Sequence, residues 1–185
     1  MSELIQTERL LLRPLTLDDA EPTAQLMTPG IARWTGSWKG QASAEEVAER
    51  IERYLQAAGR GSDLHRAIER TQDGALLGWI AVRRDQGDPR RASIGYWIGE
   101  AFFGQGYTKE AAGALLAHAW TALDVDVIEG VVQTANAASL AVLRRLGMRR
   151  VGQRMEYASA RDVSDLCEVY EIVRPPVQRG FKRSV

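Results

Sequence analysis

Two glycines, Gly104 and Gly106, interrupt the chain between an apolar run ending at Gly99 and a long helical pattern beginning near Thr108. Strand, glycine loop and helix in that order constrain the fold to one that mixes β and α elements. The first turn of a helix carries amides without intrahelical partners and the positive end of the helix dipole. Glycines allow an anion to approach such a backbone closely. By itself the pattern serves equally well as a tight turn.

Two familiar phosphate-binding patterns fail on particular residues. A P-loop requires Gly-Lys-Ser/Thr, but Lys109 follows Thr108 and is followed by Glu110. A dinucleotide fingerprint requires a third glycine and an acid closing the next strand, whereas Lys109 holds the glycine position and Asp126 opens that strand.

Periodicity places the remaining elements. Leu10, Leu11 and Leu12 read as a buried strand ended by Arg13-Pro14. Thr16, Asp18 and Asp19 start a helix that runs to about Met27 and stops at Pro29-Gly30. A loop from 34 to 40 carries Trp34 and Trp38. Ser43 and Glu46 form a capping box for a helix over 43–58, with Val47, Ile51, Tyr54 and Leu55 as its apolar stripe. The period then changes. Strands are expected over 65–68, 76–82 and 92–99, separated by turns at Asp73-Gly74 and Gly87-Asp88-Pro89. A helix over 108–123, a strand over 127–132, a helix over 137–146 ended by Gly147, and strands over 151–155 and 166–173 complete the order. The expected fold class is therefore α/β (α+β), about seven strands and about four helices, with a polar, basic tail over 175–185.

The 185 residues suit one domain over 1–174, and 45% hydrophobic with 26% charged residues is ordinary globular composition. Zero formal net charge gives no basic field for nucleic acid. No apolar stretch approaches the ~18 residues of a membrane span. The start Met1-Ser2-Glu3 lacks a signal-peptide pattern, and Cys167 stands alone, so no intrachain disulfide forms. A cytoplasmic location is expected, with no membrane or nucleic-acid partner and no metal.

Three ordered segments together resemble the GNAT acetyltransferases, and in particular the subgroup acting on ribosomal-protein N-termini and assorted small amines. They are the opening Thr7-Glu8-Arg9-Leu10-Leu11-Leu12-Arg13-Pro14-Leu15; the stretch Ile94-Gly95-Tyr96-Trp97-Ile98-Gly99 with Phe103-Gly104-Gln105-Gly106-Tyr107-Thr108-Lys109-Glu110-Ala111; and Asn136-Ala137-Ala138-Ser139 with Leu143-Arg144-Arg145-Leu146-Gly147-Met148. The resemblance spans roughly positions 7 to 173. It departs at Phe103, where Gln, Arg or Trp is usual, at Thr108 and Lys109, and at Met148 in place of Phe.

The resemblance implies a GNAT fold, with a central mixed, mostly antiparallel sheet. It also implies transfer of acetyl from acetyl-CoA to a primary amine, a small molecule or a peptide N-terminus, by direct attack in a ternary complex. Coenzyme contacts would come from Trp97, Ile98, Gly99, Phe103, Gly104, Gln105, Gly106, Tyr107, Thr108, Lys109, Asn136 and Ser139. Many relatives place a catalytic Tyr seven positions after the Asn, which is Leu143 here. The subgroup uses Ser139, which would hydrogen-bond the coenzyme sulfur. Asn136 as a cap and Ser139 in a first turn are also ordinary helix chemistry. Trp34 and Trp38 lie in the loop that would receive the acceptor, where they either line a pocket or pack the core edge. Neither His65 nor His118 has the setting of a general base, and Glu110 reads as a structural acid at the helix start. The late strands offer an edge for a homodimer. A non-catalytic acyl-CoA sensor with the same fold is the alternative.

Overall fold

A computed structural model describes residues 3–58, 61 and 63–176. The strands are β1 (Ile5–Gln6), β2 (Leu10–Arg13), β3 (Asp63–Arg70), β4 (Leu76–Arg84), β5 (Arg91–Ile98), β6 (Val127–Gln133), β7 (Arg149–Ala158) and β8 (Val163–Val173). The helices are α1 (Ala20–Leu26), α2 (Pro29–Ala32), α3 (Ala44–Ala58), α4 (Tyr107–Ala122) and α5 (Ala137–Arg145). All eight strands join one sheet in the order β1-β2-β3-β4-β5-β6-β8-β7. Every neighbouring pair is antiparallel except β5 with β6.

The central strands are buried on both faces, which is why they read as continuous apolar runs. Alternation sends Ile80, Val82, Ala92, Ile94 and Ile98 to one face, where they pack with Ala111, Ala112, Leu115 and Leu116 of α4 and with Leu140 and Leu143 of α5. It sends Trp79 and Trp97 to the other face, against Val47 and Ile51 of α3 and Ile31 of α2. The alanines on α4 let that helix lie close to the sheet, and Ala111, Ala112 and Ala119 are fully buried.

The sheet has one strand more than the seven expected. Strand β1 has two residues, too few for an alternation to show. A fifth helix, α2, occupies the segment expected only to stop its predecessor. Pro29 is its first residue, where the missing N–H costs nothing, and the Thr28 hydroxyl accepts from the Ile31 amide at 3.3 Å. The Ser43–Glu46 capping box forms in both directions, at 3.0 and 3.2 Å. Gly147 is left-handed at φ 81°. Residues 177–185 of the expected tail lie outside the described residues.

One close approach anchors β4 against β5. A Cβ on Gly78 would lie 2.6 Å from Ile98 Cα and closer still to the Trp97 carbonyl oxygen. Both are backbone atoms that cannot rotate aside. Gly78→Ala is expected to destabilise the protein by about 2 kcal/mol through overpacking, read as a lowered urea midpoint. An unchanged midpoint would show that the two strands part freely.

Candidate active site

At the end of β5 the chain passes through a 3-10 turn (Glu100–Phe102) and the glycine loop before entering α4. Gly104 (φ 74°) and Gly106 (φ 82°) are both left-handed, and no atom lies within 4 Å of a Cβ placed on Gly104. These two left-handed residues turn the chain sharply from β5 into α4. The α4 ladder begins only with the Glu110 amide on the Gly106 carbonyl at 3.1 Å. Among the described residues, none of the amides from Gly104 to Lys109 donates to another group of the chain. A run of unpartnered N–H groups at the positive end of a 16-residue helix has the chemistry to receive an anion.

Behind the cradle lies Glu110. Its carboxylate accepts from the Thr7 hydroxyl at 2.6 Å, the Arg9 amide at 2.9 Å and the Arg9 Nε at 2.8 Å. Burial raises its pKa, but these hydrogen bonds outweigh burial and hold it below the ordinary carboxylate range.

The cradle is joined to a second region by a gap in the sheet. Strands β5 and β6 pair from Arg91↔Val127 to Ile94↔Gly130 and then separate. The Gly99 amide bonds the Leu77 carbonyl and the Asp85 amide bonds the Arg91 carbonyl. Odd-numbered residues of β5 therefore turn their main-chain groups to β4, and those of Tyr96 and Ile98 face the gap. Of the residues expected at this point, Ile98 presents its backbone to the gap, whereas the Trp97 and Gly99 main chains serve the β4 ladder.

Across the gap stands the start of α5. Asn136 caps it, its side-chain oxygen accepting from the Ser139 amide at 3.1 Å. Among the described residues the Ser139 hydroxyl makes no close hydrogen bond, and its side chain lies beside the Tyr96 phenol. The Tyr96 hydroxyl donates to the Ser139 carbonyl at 3.4 Å. Burial pushes the Tyr96 phenol up, and the Ser139 side chain beside it opposes this only in part, so the phenol stays protonated. Leu143 is 1% exposed and packs in the core with Leu140 and Met148.

A cleft of about 370 Å³ opens beside Ser139. It brings together Trp34, Trp38, Trp97, Asn136 and Ser139, all expected at the site; the loop from Phe103 to Lys109 lies outside it, past the far end of β5. Trp38 is nearly buried, with its ring centroid 5.2 Å from Trp79 and 5.6 Å from Trp97. Trp34 is half-buried at the rim, with the Arg33 guanidinium over its ring. The Gly36 carbonyl accepts from the Ala160 amide at 3.1 Å, which ties the tryptophan loop to the β7–β8 turn across the cleft.

Sequence reasoning passed over several residues of this wall. Glu129 is held by Arg154 at 2.7 Å, and Arg154 also pairs with Glu156. Only strand pairing assembles that charged group; no local motif marks it. Cys167 also lines the cleft, and burial with the nearby Glu156 and Asp165 pushes its thiol up, away from the reactive thiolate.

His65 is another wall residue, stacked on Tyr54 at 3.9 Å with Asp63 at 3.4 Å. Burial lowers its pKa to about 4 against the partial opposition of Asp63. The folded protein thus refuses a proton that the unfolded chain accepts near pH 6.5. Stability from this group is fully present above pH 6.5 and is lost as the pH falls toward 4. The loss is expected to reach on the order of 2 kcal/mol, discounted from the full shift for relaxation. Urea midpoints of the wild type and His65→Gln between pH 4 and 7.5 test this. Equal slopes in the two proteins would remove His65 as the cause.

Known proteins share this fold. The family model for an acetyltransferase (GNAT) domain matches residues 9–149. The chain is similar to the uncharacterized N-acetyltransferase YoaA of Bacillus subtilis, 28% identical over 176 residues that cover 95% of this chain and 99% of the relative. Among solved structures it superposes on RimL, a ribosomal L7/L12 alpha-N-protein acetyltransferase in complex with coenzyme A, at TM-score 0.78 and 22% identity, covering 92% and 98% of the two chains. It also superposes on the microcin C7 self-immunity acetyltransferase MccE in complex with acetyl-CoA and AMP, at TM-score 0.80 and 19% identity, covering 91% and 94%. At those identities the two structures speak for the fold.

Proposed function

Since this chain belongs to the GNAT acetyltransferase family, we propose that its cradle, gap and cleft form one continuous site for acetyl transfer from acetyl-CoA to a primary amine. The observation that carries this reading is the run of unpartnered amides from Gly104 to Lys109, followed by the β5–β6 gap with the Ser139 turn beside it.

The residues present fit the coenzyme. The amides of Gly104 to Lys109 would hold its pyrophosphate, with the Thr108 hydroxyl as a further donor and the exposed Phe103 and Gln105 flanking it. The backbone of Tyr96 and Ile98 would take the amide-bearing arm in place of the missing strand pairing. Bound there, acetyl-CoA supplies the thioester carbonyl that the acceptor amine attacks. Ser139 then donates a hydrogen bond toward the sulfur, where negative charge develops. Asn136 holds Ser139 by fixing the first turn of α5. Trp97 supports the wall from behind, and no covalent intermediate on the enzyme is needed.

The cleft is the place for the acceptor, with Trp34 at its rim and Trp38 behind it. RimL acts on a ribosomal protein N-terminus by its name. Here the acceptor class is a peptide amino terminus or a small-molecule amine. Thiol release from acetyl-CoA across peptide N-termini, polyamines and aminoglycosides tests the proposal. Turnover with one class above the rate of hydrolysis is expected. Tight coenzyme binding with no turnover on any amine would instead make the chain a sensor of the coenzyme.

A further inference from the structure

The glycine loop is not held by its own residues alone. Arg9, at the entrance to β2, reaches across to it from a position 96 residues earlier in the chain than Gln105. Its guanidinium forks onto Glu110, with Nε at 2.8 Å and Nη2 at 2.6 Å from Oε2. The remaining arm, Nη1, donates to the carbonyl of Gln105 at 3.0 Å. Gln105 lies between the two left-handed glycines. The guanidinium also covers the ring of Tyr107, 4.6 Å from its centroid, and Tyr107 is only 7% exposed. One side chain thus contacts the loop carbonyl, the first residue of α4 and the carboxylate of that helix's first turn.

From this geometry we infer that Arg9 and Glu110 are positioning residues for the coenzyme: a clamp that presets the Gly104–Lys109 backbone in its anion-receiving form. Resting on the acetyl-CoA reading of the loop, the inference adds a function for two residues outside the cradle. A loop with two glycines samples many conformations when free, and ordering it on binding would weaken affinity. A carbonyl tied from behind keeps the Gln105 peptide in one orientation, with its amides turned outward. Preorganisation of this kind raises affinity without a contact to the ligand.

The charge balance separates positioning from simple attraction. Glu110 accepts four hydrogen bonds, three of them from Arg9. Arg9 is therefore neutralised where it stands and adds little net positive charge at the phosphate site. If Arg9 acted by charge, removing the carboxylate would free a cation beside the cradle and strengthen coenzyme binding. If the pair acts as a clamp, the same change lets the guanidinium and the loop drift, and binding weakens.

Glu110→Gln distinguishes the two directly, and Arg9→Lys keeps the charge while removing the fork to Gln105 and Glu110. Calorimetry with coenzyme A is expected to show affinity lowered about tenfold in both variants. With the amine that turns over, the KM for acetyl-CoA should rise by a similar factor while kcat changes less than twofold. A general loss of structure would instead lower the folded fraction and kcat together. Unchanged or tighter binding in Glu110→Gln, or unchanged binding in Arg9→Lys, overturns the clamp. If Glu110→Gln fails to fold, Arg9→Lys decides alone. Failure of the wild type to bind coenzyme A would overturn the reading of the loop itself, a different result from wild-type binding that the variants leave untouched.

Discussion

Gly106→Val is expected to lower the affinity for coenzyme A by about 1,000-fold while leaving α4 folded. The space around Gly106 is not the reason. A Cβ there would meet Arg9 Nη2 at 3.6 Å, an ordinary contact. The backbone conformation is the reason. Gly106 sits at φ 82° and ψ 0°, and a left-handed conformation costs an L-residue roughly 1–2 kcal/mol, most for a β-branched one. Valine escapes that strain by turning the peptide over, which redirects the amides leading into Tyr107 and Thr108. Each charge-assisted hydrogen bond lost to a phosphate then removes about 1.5–3 kcal/mol. Two such losses suffice for the expected factor. Calorimetry reads the affinity, and circular dichroism confirms that the helix persists. Wild-type affinity in this variant would sink the cradle.

Ser139→Ala is the complementary change, at the other end of the gap. Turnover is expected to fall by about 100-fold with coenzyme affinity within threefold of wild type. Removing one donor aimed at developing charge in an active site costs about 10²–10³ in rate. The substitution is structurally mild, because the Ser139 amide, not its hydroxyl, bonds to Asn136. Alanine retains that amide and the first turn of α5. Undiminished turnover would take Ser139 out of the chemistry and leave the Tyr96 phenol, 3.4 Å from the Ser139 carbonyl, as the next group to test. The two variants together separate binding from turnover, so a sensor and an enzyme give different patterns.

Much of the fold was legible in the chain because its signals are local. The capping box at Ser43 and Glu46, the left-handed Gly147 and the strand alternation through Ile94 and Ile98 each depend on groups within a few residues of one another. The segment α2 was misread for the same reason. Pro29-Gly30 carries a strong stop signal, and nothing in the sequence told that proline from one that also starts a new turn behind Thr28. Strand β1 was too short to have a period.

The opening glycine loop divides in the same way. The sequence by itself determined that a loop with two glycines precedes a helix, that Asn136 caps another with Ser139 in its first turn, and that the usual tyrosine position holds Leu143. Tertiary structure alone decided where these features stand relative to the sheet. The parallel pair β5–β6 parts after Ile94, and the Tyr96 hydroxyl beyond that point reaches the Ser139 carbonyl. It also decided that His65 and the Arg154–Glu129 pair form a wall, and that Arg9 reaches Gln105. The physical reason is distance along the chain. Hydrogen bonds and periodicity within one element leave a pattern in adjacent residues, whereas a contact between residues 101 positions apart leaves none until the strands have paired and the helices have packed.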